Sequence, residues 1–281
     1  MRIGECLAQA AATLELSGIE VGHLEARVLL CHVLGCQTSY LYAHADEELP
    51  HDPCLHYLTC VARRAGGMPL AYITGIREFY ALSFRVDAHT LIPRADTETL
   101  VETALELDGR CHFRDILELG TGSGAVIIVL ATRLPRARCT ATDISPAALE
   151  VARSNAADHG VAVEFMEGSW FEPLPGRRFD LIVTNPPYVR EDDEHLEALQ
   201  HEPSVALLAG ADGLRELRCI IRQAPQHLCP GGVLLTEHGW DQGGAVRRLF
   251  ASGGYHDIRT LRDLQGRERV TMGVTGERVH A

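Results

Sequence analysis

Asp115-Ile116-Leu117-Glu118-Leu119-Gly120-Thr121-Gly122-Ser123-Gly124 carries the strongest structural signal in the chain. A strand-like run enters three glycines at alternate positions, and the apolar segment that follows reads as a helix through Leu134. Glycines at such a turn let the backbone approach a ligand closely, in the crevice outside the strand's carboxyl end. A second strand, Cys139–Asp143, ends on a carboxylate 19 residues after Gly124. Ser145 as N-cap and Pro146 at the first helical position open the next helix, and Gly160 closes it. Further strands are expected at 161–166, 179–184 and 232–237, and helices near 213–228 and 241–252. A final antiparallel pair is expected at 255–262 and 267–275. This alternation predicts an α/β class chain with a doubly wound, mainly parallel sheet.

Toward the N-terminus the character changes. Leu7, Ala10, Ala11 and Leu14 stand at helical spacing and stop at Gly18. Leu24, Val28, Leu29 and His32 mark a second amphipathic segment ending near Gly35. Tyr57, Leu58 and Val61 mark another, closed by Gly66-Gly67. Residues 1–74 are therefore expected to form a small helical bundle, with four arginines against eight carboxylates. The second domain, 75–281, is expected to begin with a hairpin linker over 76–92, where Phe79, Leu82, Phe84 and Val86 are strand-like. A helix over 95–108, ended by Gly109, follows it.

The chain of 281 residues contains 26 arginines and no lysine, and its formal charge is −12. Without lysine, Schiff-base chemistry, P-loop NTPases and protein kinases are excluded. The acidic balance argues against bulk electrostatic binding to nucleic acid. No apolar run is long enough to span a membrane, and the N-terminus lacks a signal-peptide core. A cytoplasmic protein is expected. The nine cysteines are scattered without a CxxC pair, and His51, Cys54 and His56 lack a second cluster, so no metal site is expected.

Asn185-Pro186-Pro187-Tyr188 follows the strand 179–184 directly. Two prolines fix φ and remove two backbone donors, leaving carbonyl acceptors beside the Asn185 side-chain oxygen. Such a set suits an –NH2 group, which offers two donors, and Tyr188 can stack on its flat face. Binding both N–H bonds lets a delocalised nitrogen pyramidalise and frees its lone pair for attack on a methyl group. The glycine run fits the dinucleotide spacing G-x-G-x-x-G poorly. It resembles the S-adenosylmethionine (AdoMet) loop of class I methyltransferases. Asn-Pro-Pro-Tyr itself leaves three acceptors open: adenine N6, cytosine N4 or a glutamine side-chain amide.

Over residues 69–240 the chain resembles the HemK/PrmC release-factor glutamine methyltransferases. The matching segments are Pro69–Gly75, Leu91–Glu98, Glu118–Gly124, Asn185–Tyr188, His201-Glu202-Pro203 and Glu237-His238-Gly239-Trp240. The resemblance implies a Rossmann-like class I methyltransferase sheet behind an N-terminal helical bundle that helps hold the protein substrate. It implies AdoMet as methyl donor, S-adenosylhomocysteine as product, and the Gly-Gly-Gln glutamine of peptide chain release factors as acceptor. By the same resemblance Gly120, Thr121, Gly122, Ser123 and Gly124 line the methionine part, Asp143 takes the ribose, and Trp170 packs near the adenine. Asn185 lies at both sites, and Asn185, Pro186, Pro187 and Tyr188 bind the amide, with Asn185, Pro186 and Tyr188 catalytic. No membrane, metal or direct nucleic-acid partner is expected, and the chain is expected to be a monomer.

Three departures from the family pattern stand out. Ala95 replaces a proline, Ser169 replaces an aspartate before Trp170, and the segment between Tyr188 and His201 is arginine-poor. The alternative reading is an N6-adenine DNA or RNA methyltransferase. It would need a basic recognition region and base flipping into the pocket, and the acidic helical segment counts against it. An inactive factor-binding module would show decay at Gly120–Gly124 or Asn185, which are intact. The roles of Arg94 and Glu98 are open at this level.

Overall fold

The computed structural model describes residues 1–193 and 196–276. The chain divides into two compact units, Met1–Ile76 and Arg77–Ala281, a boundary two residues beyond the expected one. No helix among the described residues is long and apolar enough to cross a membrane.

The first unit is helical: α1 (Ile3–Leu16), α2 (Gly22–Leu34), α3 (Thr38–Ala43), α4 (His51–Ala65) and α5 (Leu70–Thr74). Gly35 ends α2 in the left-handed conformation at φ 61°. The expected inward face of α2 needs correction, because Leu24 and Val28 are exposed while Ala26, Leu29 and Leu30 are buried. Two contacts from α4 set the rotation: Tyr57 donates to the Ala26 carbonyl at 3.0 Å, and Arg64 pairs with Glu25. A run with two apolar arcs does not state which one meets its neighbour.

From the boundary residue Ile76 onward run β1 (Ile76–Phe79) and β2 (Leu82–Arg85), a two-stranded sheet shorter than the expected 76–92. Its turn residues, Tyr80 and Ala81, both have positive φ (50° and 58°) without a glycine. Such a turn ordinarily signals itself through Asn-Gly or Asp-Gly. Here it is held from outside: the Tyr80 amide donates to Glu98 at 2.9 Å, and the Arg133 guanidinium lies over the Tyr80 ring. A 3-10 turn, Ala95–Thr97, then leads into α6 (Glu98–Cys111). This helix runs past Gly109, contrary to expectation. It stops where His112 turns left-handed (φ 52°) and the Asp108 carboxylate accepts the Phe113 amide at 2.7 Å.

The remaining elements are β3 (Asp115–Leu119), α7 (Ala125–Arg133), β4 (Arg138–Asp143), α8 (Pro146–Asp158), β5 (Val163–Glu167), β6 (Phe179–Thr184), α9 (Arg215–Gln223), β7 (Leu228–Glu237), α10 (Gly243–Ser252), β8 (His256–Arg262) and β9 (Glu268–Val274). The sheet order is β5-β4-β3-β6-β7-β9-β8, with β9 antiparallel to both neighbours and the other pairings parallel. Successive residues point to opposite faces. Ile116, Leu181 and Val183 pack with α6 and α7, whereas Leu117, Leu119 and Ile182 pack with α9 and α10. Both faces are thus covered, as a parallel sheet requires.

The order matters for function. From β3 the chain winds one way through β4 and β5, then crosses to β6 and β7 on the other side. The carboxyl end of β3 is therefore a topological switch point, where loops diverge and leave a crevice.

Candidate active site

The loops after β3, β4 and β6 meet at that crevice. Gly120, Gly122 and Gly124 all take positive φ (68°, 55° and 80°), the region where a side chain is strained. At Gly124 a Cβ would sit 2.8 Å from Ile128 Cδ1 and 3.2 Å from Ala152 Cβ, and at Gly120 it would sit 3.2 Å from the Trp170 ring. At Gly122 it would meet nothing within 4 Å. Gly120 and Gly124 allow close packing, and Gly122 leaves its space open. Gly120 and Thr121 amides both donate to the Thr142 carbonyl, pinning the loop onto β4.

Asp143 accepts the Gly122 amide at 2.8 Å on one carboxylate oxygen and the Ser145 amide at 2.9 Å on the other. Burial raises its pKa, and these backbone donors oppose the rise. Beneath the loop Glu118 is almost fully buried, accepting the Thr121 hydroxyl at 2.5 Å and the Ile127 amide at 3.2 Å. Desolvation pushes its pKa up to about 8. The folded chain thus keeps a proton that the unfolded chain releases near its ordinary value. Glu118's contribution to stability is most favourable at low pH, declines as pH rises from about 4.5 to about 8, and is level above that. Glu118→Gln is expected to flatten the stability–pH profile across this window, read as denaturation midpoints of both proteins from pH 5 to 9.

A cavity of about 520 Å³ opens above the switch point. Its wall brings together Gly120, Gly122, Asp143, Ser169, Trp170, Asn185 and Pro187. Trp170 holds a positive φ (48°), donates its indole N–H to Glu216 at 3.0 Å, and gives its carbonyl to the Thr142 hydroxyl. Thr184 donates to the Leu119 carbonyl at 2.9 Å and so ties the end of β6 to the end of β3. That contact places Asn185-Pro186-Pro187-Tyr188 beside the glycine loop. Asn185 and Pro187 are half-buried and Pro186 is buried. The Tyr188 carbonyl accepts from the Gln242 amide at 3.1 Å, while its hydroxyl donates to Glu237 at 3.1 Å. Burial raises the Tyr188 pKa, so the phenol stays protonated. Glu237 is fully buried; desolvation pushes its pKa up to about 7 against the Thr97 hydroxyl, the Arg269 charge and Tyr188.

Two family descriptions match this sequence: the PrmC N-terminal domain over residues 5–75 and the methyltransferase small domain over 95–207. The release factor glutamine methyltransferase of Xylella fastidiosa (strain Temecula1) is 46% identical over 256 residues, which cover 90% of this chain and 93% of that one. The chain belongs to the release factor glutamine methyltransferase family. Its relative of that name in Vibrio cholerae is 44% identical over 279 residues, 96% of each chain. A methyltransferase from Pyrococcus furiosus shares the fold, with a TM-score of 0.52 at 18% identity over 77% of this chain and 98% of that one. Membership in the release factor glutamine methyltransferase family favours the glutamine reading over the adenine one.

In this member of the family, Arg94 and Glu98 have structural partners. Arg94 pairs with Glu202, whose other oxygen accepts the Ile92 amide, and Glu98 holds the hairpin turn. The Ile92–Arg94 and His201–Pro203 segments, recognisable in sequence only as family matches, are thereby one contact. Ala95 begins the 3-10 turn without the family proline, and the Ser169 amide donates to Glu172. Residues 194 and 195 of the arginine-poor segment lie outside the described residues. Sequence reasoning missed Thr97, Glu216 and Glu237 as neighbours of the site. The segments holding Thr97 and Glu237 stood out as family matches, but nothing local joined Thr97 to Asn185 or Glu237 to Tyr188.

Proposed function

We propose that this protein transfers a methyl group from AdoMet to the side-chain amide nitrogen of the glutamine in the Gly-Gly-Gln motif of peptide chain release factors. The observation that carries the reading is one shared chamber: Asn185 and Pro187 line the same cavity as Gly120, Gly122 and Asp143. Residues read here as holding the donor and two of those read as holding the acceptor thus face one space.

The residues suit this cofactor. The Asp143 carboxylate lies on the cavity wall as an acceptor for a ribose diol, and Gly122 leaves open room where a side chain would intrude. Trp170 offers a flat apolar wall for an adenine. Gly120–Gly124 would hold the methionine part. When bound, AdoMet supplies an electrophilic methyl on a positively charged sulfur. The chain's own part is to bind and orient the acceptor. The Asn185 side-chain oxygen and the Pro186 carbonyl accept the two amide N–H bonds, and Tyr188 stacks on the amide plane. Holding both hydrogens lets the nitrogen pyramidalise and direct its lone pair at the methyl group, so positioning accounts for much of the barrier reduction. The nitrogen sheds one proton after transfer, and no strong base is required beforehand.

The helical unit is read as the element that docks the release factor, in a monomeric, cytoplasmic enzyme that uses no metal. The test uses purified protein, methyl-labelled AdoMet and either release factor or duplex DNA. Label is expected in the release factor alone and is expected to vanish when the Gly-Gly-Gln glutamine is changed. Label in DNA, or in the changed factor, would overturn the reading.

A further inference from the structure

Pro186 and Pro187 carry no N–H, so the turn after β6 cannot be tied down by donors of its own. At Tyr188 the ties come from other segments. The Tyr188 hydroxyl donates to Glu237 at 3.1 Å, and the Tyr188 carbonyl accepts from Gln242 Nε2 at 3.1 Å. Gln242 is buried just ahead of α10. Its NH2 group also donates to the Gly213 carbonyl at 3.3 Å, and its Oε1 accepts the Gly239 amide at 2.9 Å. All three partners are backbone groups of fixed donor or acceptor character, so the carboxamide fits in one orientation only. One side chain thus joins the turn after β6, the loop before α9 and the loop after β7. Gly213 completes the contact. At its φ of 68° a Cβ would lie 2.4 Å from the Tyr188 carbonyl oxygen and 2.6 Å from Gln242 Nε2.

We propose that Gln242 is a positioning residue for methyl transfer, which fixes the Tyr188 backbone and through it the aim of the acceptor turn. The inference rests on the glutamine-amide reading given above. With φ preset at both prolines, few torsions separate the Tyr188 carbonyl from the Pro186 carbonyl and Asn185. A shift at Tyr188 is therefore passed along the turn to the groups that hold the amide. The cofactor loop is pinned separately, by the Gly120 and Thr121 amides on the Thr142 carbonyl. Loss of the brace is thus expected to act on the transfer step and to spare AdoMet binding.

Gln242→Met keeps the length of the side chain but offers neither N–H nor amide oxygen, and Gly213→Ala brings a Cβ onto the same Tyr188 carbonyl. Assayed on release factor, each is expected to lower kcat per folded enzyme about 30-fold, because small misplacements of a reacting group are costly. The Kd for AdoMet, measured by calorimetry, and the KM for release factor are expected to stay within about threefold of wild type, since neither ligand is held by Gln242 directly. The double variant is expected to fall no more than about threefold below the poorer single one, as residues sharing one contact are not additive. A Gln242→Met enzyme with wild-type kcat, a matching loss of AdoMet affinity, or losses that multiply in the double variant would each overturn the brace. If Gln242→Met does not fold, Gln242→Glu, which keeps an oxygen for the Gly239 amide, is read by the same criteria. A wild-type enzyme that leaves the Gly-Gly-Gln glutamine unlabelled overturns the acceptor reading and this inference with it, an outcome distinct from these.

Discussion

Asn185→Ala is expected to lower kcat for methyl transfer by about a thousandfold while leaving AdoMet affinity within about threefold of wild type. Each lost hydrogen bond contributes about 0.5–1.5 kcal/mol to net binding, which alone would give a far smaller loss. The larger effect comes from geometry: without the Asn185 oxygen the acceptor nitrogen is neither pyramidalised nor aimed, and preorganised polar groups act mainly on the transition state. Asn185 lies at the end of β6, and the Thr184 hydroxyl ties that strand to the Leu119 carbonyl independently of the Asn185 side chain. The glycine loop is therefore expected to survive the substitution. Single-turnover transfer of labelled methyl, alongside calorimetric AdoMet binding, separates the two quantities. Turnover near the wild-type rate would remove Asn185 from the acceptor site.

The opposite pattern is expected at Asp143. Asp143→Ala should raise the AdoMet Kd by about a hundredfold, with kcat at saturating AdoMet within about fivefold of wild type. Hydrogen bonds to a charged acceptor are worth about 1.5–3 kcal/mol each, so losing a carboxylate that holds a diol reaches this size. The carboxylate also accepts the Gly122 and Ser145 amides. Asp143→Asn keeps one oxygen acceptor and is expected to fall between the alanine variant and wild type. Unchanged AdoMet affinity in the alanine variant would show that the ribose is held elsewhere. The two substitutions are thus expected to divide the cavity, one side acting on cofactor affinity and the other on the transfer step.

Much of the fold was legible because its signals are local. Ser145 and Pro146 announce the start of α8 through a side-chain cap and a preset φ, and the Ser145 hydroxyl does accept the Ala148 amide. The three glycines announce a turn at positive φ, where most side chains are strained. Where the signals mislead, the cause is a partner distant in sequence. The β1–β2 turn lacks a glycine because Glu98 and Arg133 hold Tyr80. Helix α6 passes Gly109 because His112 and the Asp108 cap supply its end. In α2, contacts from Tyr57 and Arg64 of α4 select the buried arc.

With no lysine in the chain, no ammonium group can serve the reaction. The candidate site turns out to rest on carboxylates, hydroxyls and backbone groups, with Arg269 buried behind it. By itself the sequence determined the strand–turn–helix order, the left-handed glycine loop, the carboxylate after β4 and the rigid proline turn after β6, since each depends on the φ preferences and hydrogen-bonding capacity of neighbouring residues. The pairing of Thr97 with Asn185 and of Glu237 with Tyr188 was decided by the tertiary structure alone. Their meeting depends on β3, β6 and β7 lying side by side with the start of α6 at their ends. Strand order is set by burial over the whole sheet, so it leaves no local mark on the residues it brings together.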